Sequence, residues 1–563
     1  MAAELGAPRA AATIPGIPFR SRLYGFGSIY GKTIRDSRLA FIIAAGFVGG
    51  LALVMGAAVS TIFPTAQSRL EIDKLIGSMP GSMVNLFGNA TLMGSKLGTI
   101  GGYMTWKYGA IFALGTGLWS ILALSGTLAG EAARGSLDIV AAAPFGKRRI
   151  ALEKVAAHLT MLWLAMAILA VLTTISSNVY GDASLGDHIP LGAAISFALW
   201  VGSIGTLFGG LALALGPVLG RSGAAGVAGL VMVGLWIVSG LNIGGPIVAV
   251  SPFHWTVDHI PLVGFYNWPG LALVGLAAVA FIALGIELFR RRDLGVTAGL
   301  SLPRLPASVL GVRGPVGRAF GDVLPRSLAW GFGMGLMGAL LASLVGPFAD
   351  QIGGDSGLSK TFALIFPGLD FSSAGGWLQL YAELFFIASG FAATTLVSKW
   401  ASDENDGRLE ELLAVPMPRA RWVVAGGVAA ILAVVVMTAM LAAGIGLGAA
   451  AGGGTAGDAI LGSASLGLFA LAIVGVGFAI GGLWRTSLAA EIAALVVVVT
   501  YLINLLAPPL KWPDWVHQLA LTAHFGQPMV GDWDPVGIAA SLVIGVGGIL
   551  VGAWGIARRD IGR

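Results

Sequence analysis

The sequence contains no cysteine among its 563 residues, which excludes disulfides, thiolate metal sites and a cysteine nucleophile. Charged residues are also scarce, at 11% of the chain, whereas soluble proteins carry about 25%. Apolar residues make up 56% and the mean hydropathy is +0.86, so intrinsic disorder is excluded as well. The 86 glycines show no three-residue period, which excludes a collagen-like chain. The composition indicates a polytopic membrane protein.

The apolar segments predict an all-α protein with about twelve transmembrane helices. A spanning helix needs about 20 mostly apolar residues, and the segments do not alternate as β-barrel strands would. Their glycine and alanine content favours close helix packing. The predicted spans begin near Leu39, Tyr108, Ile150, Leu191, Ala224, Pro269, Ser327, Leu378, Trp422, Ala459, Ser487 and Val536.

The basic residues predict the orientation of these spans. With a cytoplasmic N-terminus, only six of the 33 lysines and arginines fall in outer loops, which satisfies the positive-inside rule. Both termini are therefore predicted to be cytoplasmic, and the net charge of +5 gives no reason to expect nucleic acid. The six outer residues are Arg69, Lys74, Lys96, Lys107, Lys360 and Lys511.

An internal repeat divides the chain into two halves of six spans. The segment after the second span recurs 272 residues later, after the eighth span. Short pairs elsewhere repeat in the same order: 37–41 resembles 326–330, and RRDLG at 291–295 resembles RRDIG at 558–562. Six is an even number, so the halves share one orientation. The matched positions in the loop are Glu131 and Asp403, Gly135 and Gly407, Leu137 and Leu409, Asp138 and Glu410, and Pro144 and Pro416.

The repeat predicts four regions. Residues 1–38 are a cytoplasmic N-terminus in which 19–38 form an amphipathic interfacial helix. Residues 39–293 are the first six-helix half, 294–326 a cytoplasmic linker rich in proline and arginine, and 327–563 the second half.

The repeated loop predicts a short amphipathic helix beside carboxylates. Apolar residues at i, i+3 and i+4 form one stripe in each copy, and the proline helps to end the segment. Two copies in matching positions suit docking to two equivalent sites on a dimeric partner. The alternative is a loop helix that rests on lipid headgroups.

Other candidate residues lie within the spans. A carboxylate inside a membrane is a functional candidate by default, and Glu383 and Glu491 qualify. Aromatic residues could line an apolar path, although packing or lipid contact is the alternative for each. These are Phe112, Trp119, Trp236, Phe385 and Phe386. The six histidines lack metal-site spacing, and the nearest approach to a phosphate-binding loop, 27–33, has the wrong first interval.

The pattern of acid, glycine, leucine, acid and proline in the loop after the second span resembles the permeases of ABC-2-type transporters. The RRD endings and Ser251–His254 are similar to that family too. The duplicated single-chain form resembles actinobacterial exporters of polyketide antibiotics and drugs, of the tetronasin type. The resemblance implies that the loops couple to an ATP-binding subunit through Glu131, Arg134, Gly135, Leu137, Asp138, Pro144, Asp403, Glu404, Gly407, Leu409, Glu410, Glu411 and Pro416.

The predicted function is therefore that of a plasma-membrane permease that exports hydrophobic or amphipathic small molecules. ATP and magnesium are expected on a separate ABC subunit, in about two copies, and no cofactor or metal on this chain. A twelve-helix proton-coupled secondary transporter is the rival, since it shares the 6+6 plan. An intramembrane enzyme is the third possibility, but no HExxH or GxSxG motif supports it.

Overall fold

The computed structural model describes residues 28–78, 89–133, 146–242, 245–291, 314–343, 345–346, 373–405, 407–414, 417–507 and 512–559. The chain forms two compact units that divide near residue 300. The described residues up to Arg291 are called unit 1, and those from Gly314 onward unit 2.

Unit 1 consists of long helices that run back and forth. The bounds are α1 Ile29–Ile62, α2 Ala66–Ser78, α3 Ile100–Gly130, α4 Lys147–Tyr180, α5 Leu191–Arg221, α6 Gly223–Gly240 and α7 Trp268–Arg291. Helix α3 contains two π-helical turns, Met104–Tyr108 and Gly126–Gly130. A kink at Gly220 (φ 69°) separates α5 from α6. Shorter helices are Ala90–Met93, Gly94–Lys96, Glu131–Ala133, Ala183–Leu185, Pro246–Ala249, Pro252–Trp255 and Pro261–Val263.

Unit 2 repeats much of this order. Its helices are α8 Gly314–Ser343, α9 Ala374–Leu380, α10 Ala382–Asn405, α11 Leu409–Leu413, α12 Arg419–Gly452, α13 Gly457–Leu483, α14 Thr486–Leu506 and α15 Pro535–Ile556. Short helices are Asp514–His517, Leu521–His524 and Pro528–Val530. Strands β1 Gly526–Gln527 and β2 Asp532–Trp533 pair antiparallel, with Gly526 opposite Trp533.

Eleven helices within the described ranges are long and apolar enough to cross a membrane. They expose large apolar side chains, such as Leu276 (69%), Leu447 (72%) and Val543 (71%). Such exposure is typical of surfaces that lipid covers. The all-α polytopic prediction is confirmed. The predicted seventh span, near Ser327, lies in α8, where Arg326 and several glycines dilute the apolar character.

The predicted repeat appears in the helix bounds. Helices α4 and α12 each contain 34 residues, and both their first and their last residues are 272 positions apart. Helix α1 packs on α4 in unit 1, and α8 packs on α12 in unit 2. The α8–α12 contact is close because small residues meet there. A Cβ on Gly444 would lie 2.0 Å from the carbonyl oxygen of Gly335, as expected of membrane helix seams built from small residues.

Each unit also contains a short turn that the sequence analysis did not recognise as part of the repeat. Residues Pro261–Val263 and Pro528–Val530 form 3-10 turns. Each ends in a left-handed glycine, Gly264 (φ 97°) or Gly531 (φ 85°). In each unit the turn packs against the first residues of a helix, α3 in unit 1 and α9 in unit 2. A glycine in that helix leaves room for a carbonyl group of the turn. The motif Pro-x-Val-Gly, 267 residues apart, is the signal that would have revealed it.

Two predicted boundaries differ from the structure. Residues Ile29–Arg38, predicted as part of a separate interfacial helix, form the first turns of α1 and continue into the span without a break. Residues from Gly314 to Arg326, predicted as linker, are the first turns of α8. In both places a segment that contains charged residues forms the first turns of a long helix. Residues 1–27 and 292–313 lie outside the described residues.

Candidate functional site

The first copy of the repeated loop is described at its two ends. Arg134, Gly135, Leu137, Asp138 and Pro144 lie outside the described residues. Glu131 follows the π-helical turn that ends α3.

The Glu131 side chain points into unit 1. Its Oε1 accepts a hydrogen bond from Lys154 Nζ on α4 at 2.6 Å, and the Lys154 side chain is only 2% exposed. A salt bridge this deeply buried holds the end of α3 against α4. Glu131 therefore supports the loop from inside and presents little surface to a partner.

The second copy is held at Asp403, in the last turns of α10. Arg318 on α8 approaches both carboxylate oxygens of Asp403 at 3.4 and 3.5 Å, and Trp422 Nε1 on α12 donates to Oδ2 at 3.5 Å. These contacts are longer than usual charge-assisted hydrogen bonds. Asp403 thus has the same inward orientation as Glu131 but weaker partners.

Glu404, the next residue, is held by the C-terminal end of the chain. Arg559 Nη2 donates to both Glu404 oxygens, at 2.6 and 2.7 Å. Arg559 Nη1 donates to the carbonyl oxygen of Trp484, and the Arg559 carbonyl accepts from Arg419. Thr486 adds a hydrogen bond to Glu404 at 2.9 Å. The end of α10 is therefore tied to helices α12, α13, α14 and α15.

The loop itself contains the short helix α11. Gly407 takes a left-handed conformation (φ 72°) before it, which glycine adopts without strain. Leu409 is 1% exposed and fixes α11 to the unit, whereas Glu410 and Glu411 are exposed. Pro416 lies outside the described residues. This copy thus presents two carboxylates on an anchored helix.

The aromatic candidates lie mainly in packed interiors. Phe112, Phe385 and Phe386 are at most 3% exposed. Phe112 meets Phe197 edge-on at 5.7 Å, and Phe386 packs on Phe469 and Phe525. Trp236 is 8% exposed, and the half-buried Trp119 packs on His158 at 5.4 Å. Each contributes to the core of its own unit.

The two intramembrane carboxylates differ. Glu383 Oε1 accepts a hydrogen bond of 2.6 Å from Asn504, whose amide also donates to Thr522. Glu383 Oε2 is buried and has no hydrogen-bond partner among the described residues. Glu491 is exposed on α14. The structure therefore brings Glu383 into a polar cluster with α14 and the outer turn region, and leaves Glu491 on a surface.

Sequence reasoning missed the partners of the loop acids: Lys154, Arg318 and Arg559. Lys154 follows Glu153 inside the predicted span that begins near Ile150, and a lysine there was a usable signal. Arg559 belongs to the RRD ending. In the described part of the chain, no group of three or more His, Asp or Glu could hold a metal ion.

The sequence was also compared with known proteins. Residues 312–556 match the family model described as multidrug efflux system permease Rv1217c, C-terminal domain. The match spans unit 2 from α8 to the end of α15 and covers less than half of the chain. No curated protein matches the chain.

Proposed function

We propose that the chain is the membrane-spanning permease of an efflux system that exports hydrophobic or amphipathic small molecules. The observation that carries this proposal is the match of unit 2 to a multidrug efflux permease, in a chain whose described residues contain eleven candidate spans. Its duplicated plan resembles the ABC-2-type exporters of polyketide antibiotics and drugs. The proposed location is the plasma membrane, with both termini in the cytoplasm.

The energy source in this proposal is ATP hydrolysis on a separate ABC subunit, in two copies, because the sequence contains no phosphate-binding loop of its own. The two repeated loops would be the coupling segments. In unit 2, Glu410 and Glu411 would meet the partner, and Leu409 together with Asp403 and Glu404 would transmit its movement to α8, α10 and α15. A ligand shifts such an equilibrium only through different affinity for two states.

A first experiment isolates the tagged permease from its native membrane and assays ATP hydrolysis in the purified complex. The proposal expects an ATP-binding subunit at about two copies per permease. A permease that purifies alone, and whose transport survives ATP depletion but not loss of the proton gradient, would support the secondary transporter instead. The buried Glu383 is the feature that favours this rival, since proton relays use intramembrane carboxylates.

The coupling assignment predicts the effect of reversing charge on α11. The double variant Glu410→Lys/Glu411→Lys should bind the ATPase about tenfold more weakly or worse, a loss of ~1.4 kcal/mol or more, and transport should fall with it. Co-purification and efflux assays measure both. The exposed acids Asp514 and Asp532, predicted to lie outside, provide the matched control Asp514→Lys/Asp532→Lys, which should leave docking unchanged. Normal docking of the α11 variant would contradict the assignment.

A further inference from the structure

A cavity of about 210 Å³ lies in unit 2 between the first turns of α8, the last turns of α10 and the first turns of α12. In the predicted orientation these ends face the cytoplasm, near the inner surface of the bilayer. Pockets for drug-sized ligands measure about 300–1,000 Å³. The cavity is therefore large enough for only part of a molecule, such as the headgroup end of a lipid whose chains remain in the bilayer.

The lining of the cavity combines apolar side chains with two cations. Ala319, Val323 and Met417 are among the apolar residues, and Arg318 and Lys399 are the cations. The Arg318 side chain is 44% exposed, so a ligand can reach it from the surface of the unit. Basic pockets between spanning helices on the cytoplasmic side are typical sites for anionic lipid headgroups.

Lys399 is the cation that lacks a fixed partner. Its side chain is half-buried, and none of the described residues forms a hydrogen bond or a salt bridge with its ammonium group. Asp322 and Asp403 attract it from a greater distance, but both approach Arg318, at 3.8 and 3.4 Å. The three N–H donors of Lys399 can therefore bind an acceptor from outside the chain, and phosphate oxygens form strong charge-assisted hydrogen bonds.

The surrounding charges also favour an anion. The charged groups that act on Lys399 are two carboxylates and two guanidinium groups, namely Asp322, Asp403, Arg326 and Arg408. With Lys399 and Arg318 included, four cations surround the cavity together with two carboxylates. This excess of positive charge attracts the anionic lipids of the inner leaflet, whereas a zwitterionic headgroup would bring a further cation to the same place.

We propose that this cavity binds the headgroup of one anionic phospholipid from the inner leaflet. The phosphate would contact Lys399 and Arg318, and the glycerol and first chain carbons would contact the apolar lining. The lining also includes Leu412 of α11, so the bound headgroup would touch the second repeated loop and restrict its movement. The site holds a lipid that is not the exported substrate, and in this it goes beyond the proposed transport function.

Lipid binding to the purified, delipidated full-length chain tests the proposal. The probes are phosphatidylglycerol and phosphatidylcholine with identical acyl chains, titrated separately in detergent and counted by native mass spectrometry. The first phosphatidylglycerol should bind at least tenfold more tightly than the first phosphatidylcholine. Inorganic phosphate should not displace it, because the apolar lining contributes to binding. Equal affinities of the two lipids would overturn the proposal, and displacement by inorganic phosphate would assign the site to a small anion instead.

Variants locate the bound lipid. Lys399→Met should weaken phosphatidylglycerol binding at least tenfold and leave phosphatidylcholine unchanged, whereas Lys399→Arg should retain both. Ala319→Phe fills the cavity and should act like Lys399→Met. Arg421→Met is the matched control, because Arg421 is an exposed cation at the start of α12 that does not line the cavity. Unchanged phosphatidylglycerol binding in Lys399→Met would overturn the proposal, and this variant decides the outcome if Ala319→Phe lowers the melting temperature.

The contact with the loop has its own readout. Phosphatidylglycerol should slow amide hydrogen exchange in α11, and this protection should be absent with phosphatidylcholine and in Lys399→Met. Binding of phosphatidylglycerol without protection of α11 would refute the contact with the loop. Because none of these measurements needs ATP, a substrate or a partner subunit, failure here is distinguishable from failure of the proposed efflux function.

Discussion

In unit 1 the acid that directly follows α3, Glu131, is held by a lysine that is almost completely buried. In unit 2 the matching acid, Asp403, is held by Arg318, whose side chain is 44% exposed and whose contacts are long. The helices that follow the two loops correspond, since α4 and α12 have equal lengths at a constant spacing. Within these helices, one difference between the units is the exchange of Lys154 for Gly426.

This exchange shows that the two copies of the loop do not have equal supports. Among the described residues, the acid at the start of the loop in unit 1 is held by one buried lysine. In unit 2 it is held by a looser ion pair, and the next residue adds a second tie through Glu404 and Arg559. The two copies of the loop are thus supported differently within the same order of helices.

Among the variants that test this comparison, Lys154→Met is expected to cause the largest loss of stability. Removing one partner of a buried pair leaves an uncompensated charge and typically costs about 3–5 kcal/mol. Arg318→Met should cost less, because Arg318 is 44% exposed, its contacts with the buried Asp403 are long, and Asp403 keeps the hydrogen bond from Trp422. Unfolding of the purified chain, followed in mixed micelles of increasing denaturing detergent, measures both.

The double variant Glu131→Gln/Lys154→Met provides the control, because it removes both charges and should recover much of the stability lost in Lys154→Met. Equal costs for Lys154→Met and Arg318→Met would show that the two supports are equivalent after all.

A smaller loss of stability is expected when the second tie of unit 2, between Glu404 and Arg559, is removed. Arg559→Met removes charge-assisted hydrogen bonds to Glu404 and to the Trp484 carbonyl. Because Arg559 and Glu404 keep 17% and 16% of their side chains exposed and Glu404 retains its hydrogen bond from Thr486, the expected total loss is about 1.5–3 kcal/mol, the contribution of one such bond. Its counterpart by the RRD repeat, Arg292, lies outside the described residues. The neighbouring Arg291, which is 71% exposed and pairs with Glu287, serves as the control.

Arg291→Met should leave the melting temperature unchanged, whereas Arg559→Met should lower it and increase hydrogen exchange at the C-terminal end of α10. A stable Arg559→Met protein with unaltered exchange in α10 would remove Glu404 from the support of the loop.

The sequence was sufficient to predict the helical class and the spacing of the repeat, because hydropathy and order along the chain carry that information. Partners of the loop acids were not predictable in this way. Lys154 is 23 positions from Glu131, but Arg318 is 85 positions from Asp403 and Arg559 is 155 from Glu404. Such contacts depend on which helices pack together, and periodicity does not fix this. The exchange of Lys154 for Gly426 emerges only when the 272-residue spacing is applied, because composition cannot distinguish Gly426 from the other 85 glycines.

The smallest expected effect is a change with pH in the stability of the outer turns. This change should differ between the two units. In unit 1, burial lowers the pKa of His259, whose Nδ1 accepts a hydrogen bond from the Asn267 amide at 3.1 Å. Because Nδ1 accepts, the neutral ring carries its proton on Nε2, which lies 3.1 Å from Ser196 Oγ. In unit 2 the matching residue is Gly526, and the nearest histidine, His524, instead contacts the Gln518 carbonyl.

A His pKa that is lowered in the folded state means that the unfolded segment binds protons more readily. Stability of the unit 1 turn is therefore complete above the ordinary His pKa, near 6.5, and decreases as pH falls below it. Hydrogen exchange at pH 7.5 and 5.5, corrected for intrinsic rates, should show faster opening of residues 256–268 at the lower pH. The increase should be at most about tenfold, the factor carried by one pKa unit. Residues 526–534, which contain no histidine, should not change, and His259→Gln should abolish the difference between the turns. A pH response shared by both turns would instead assign it to groups common to the two units.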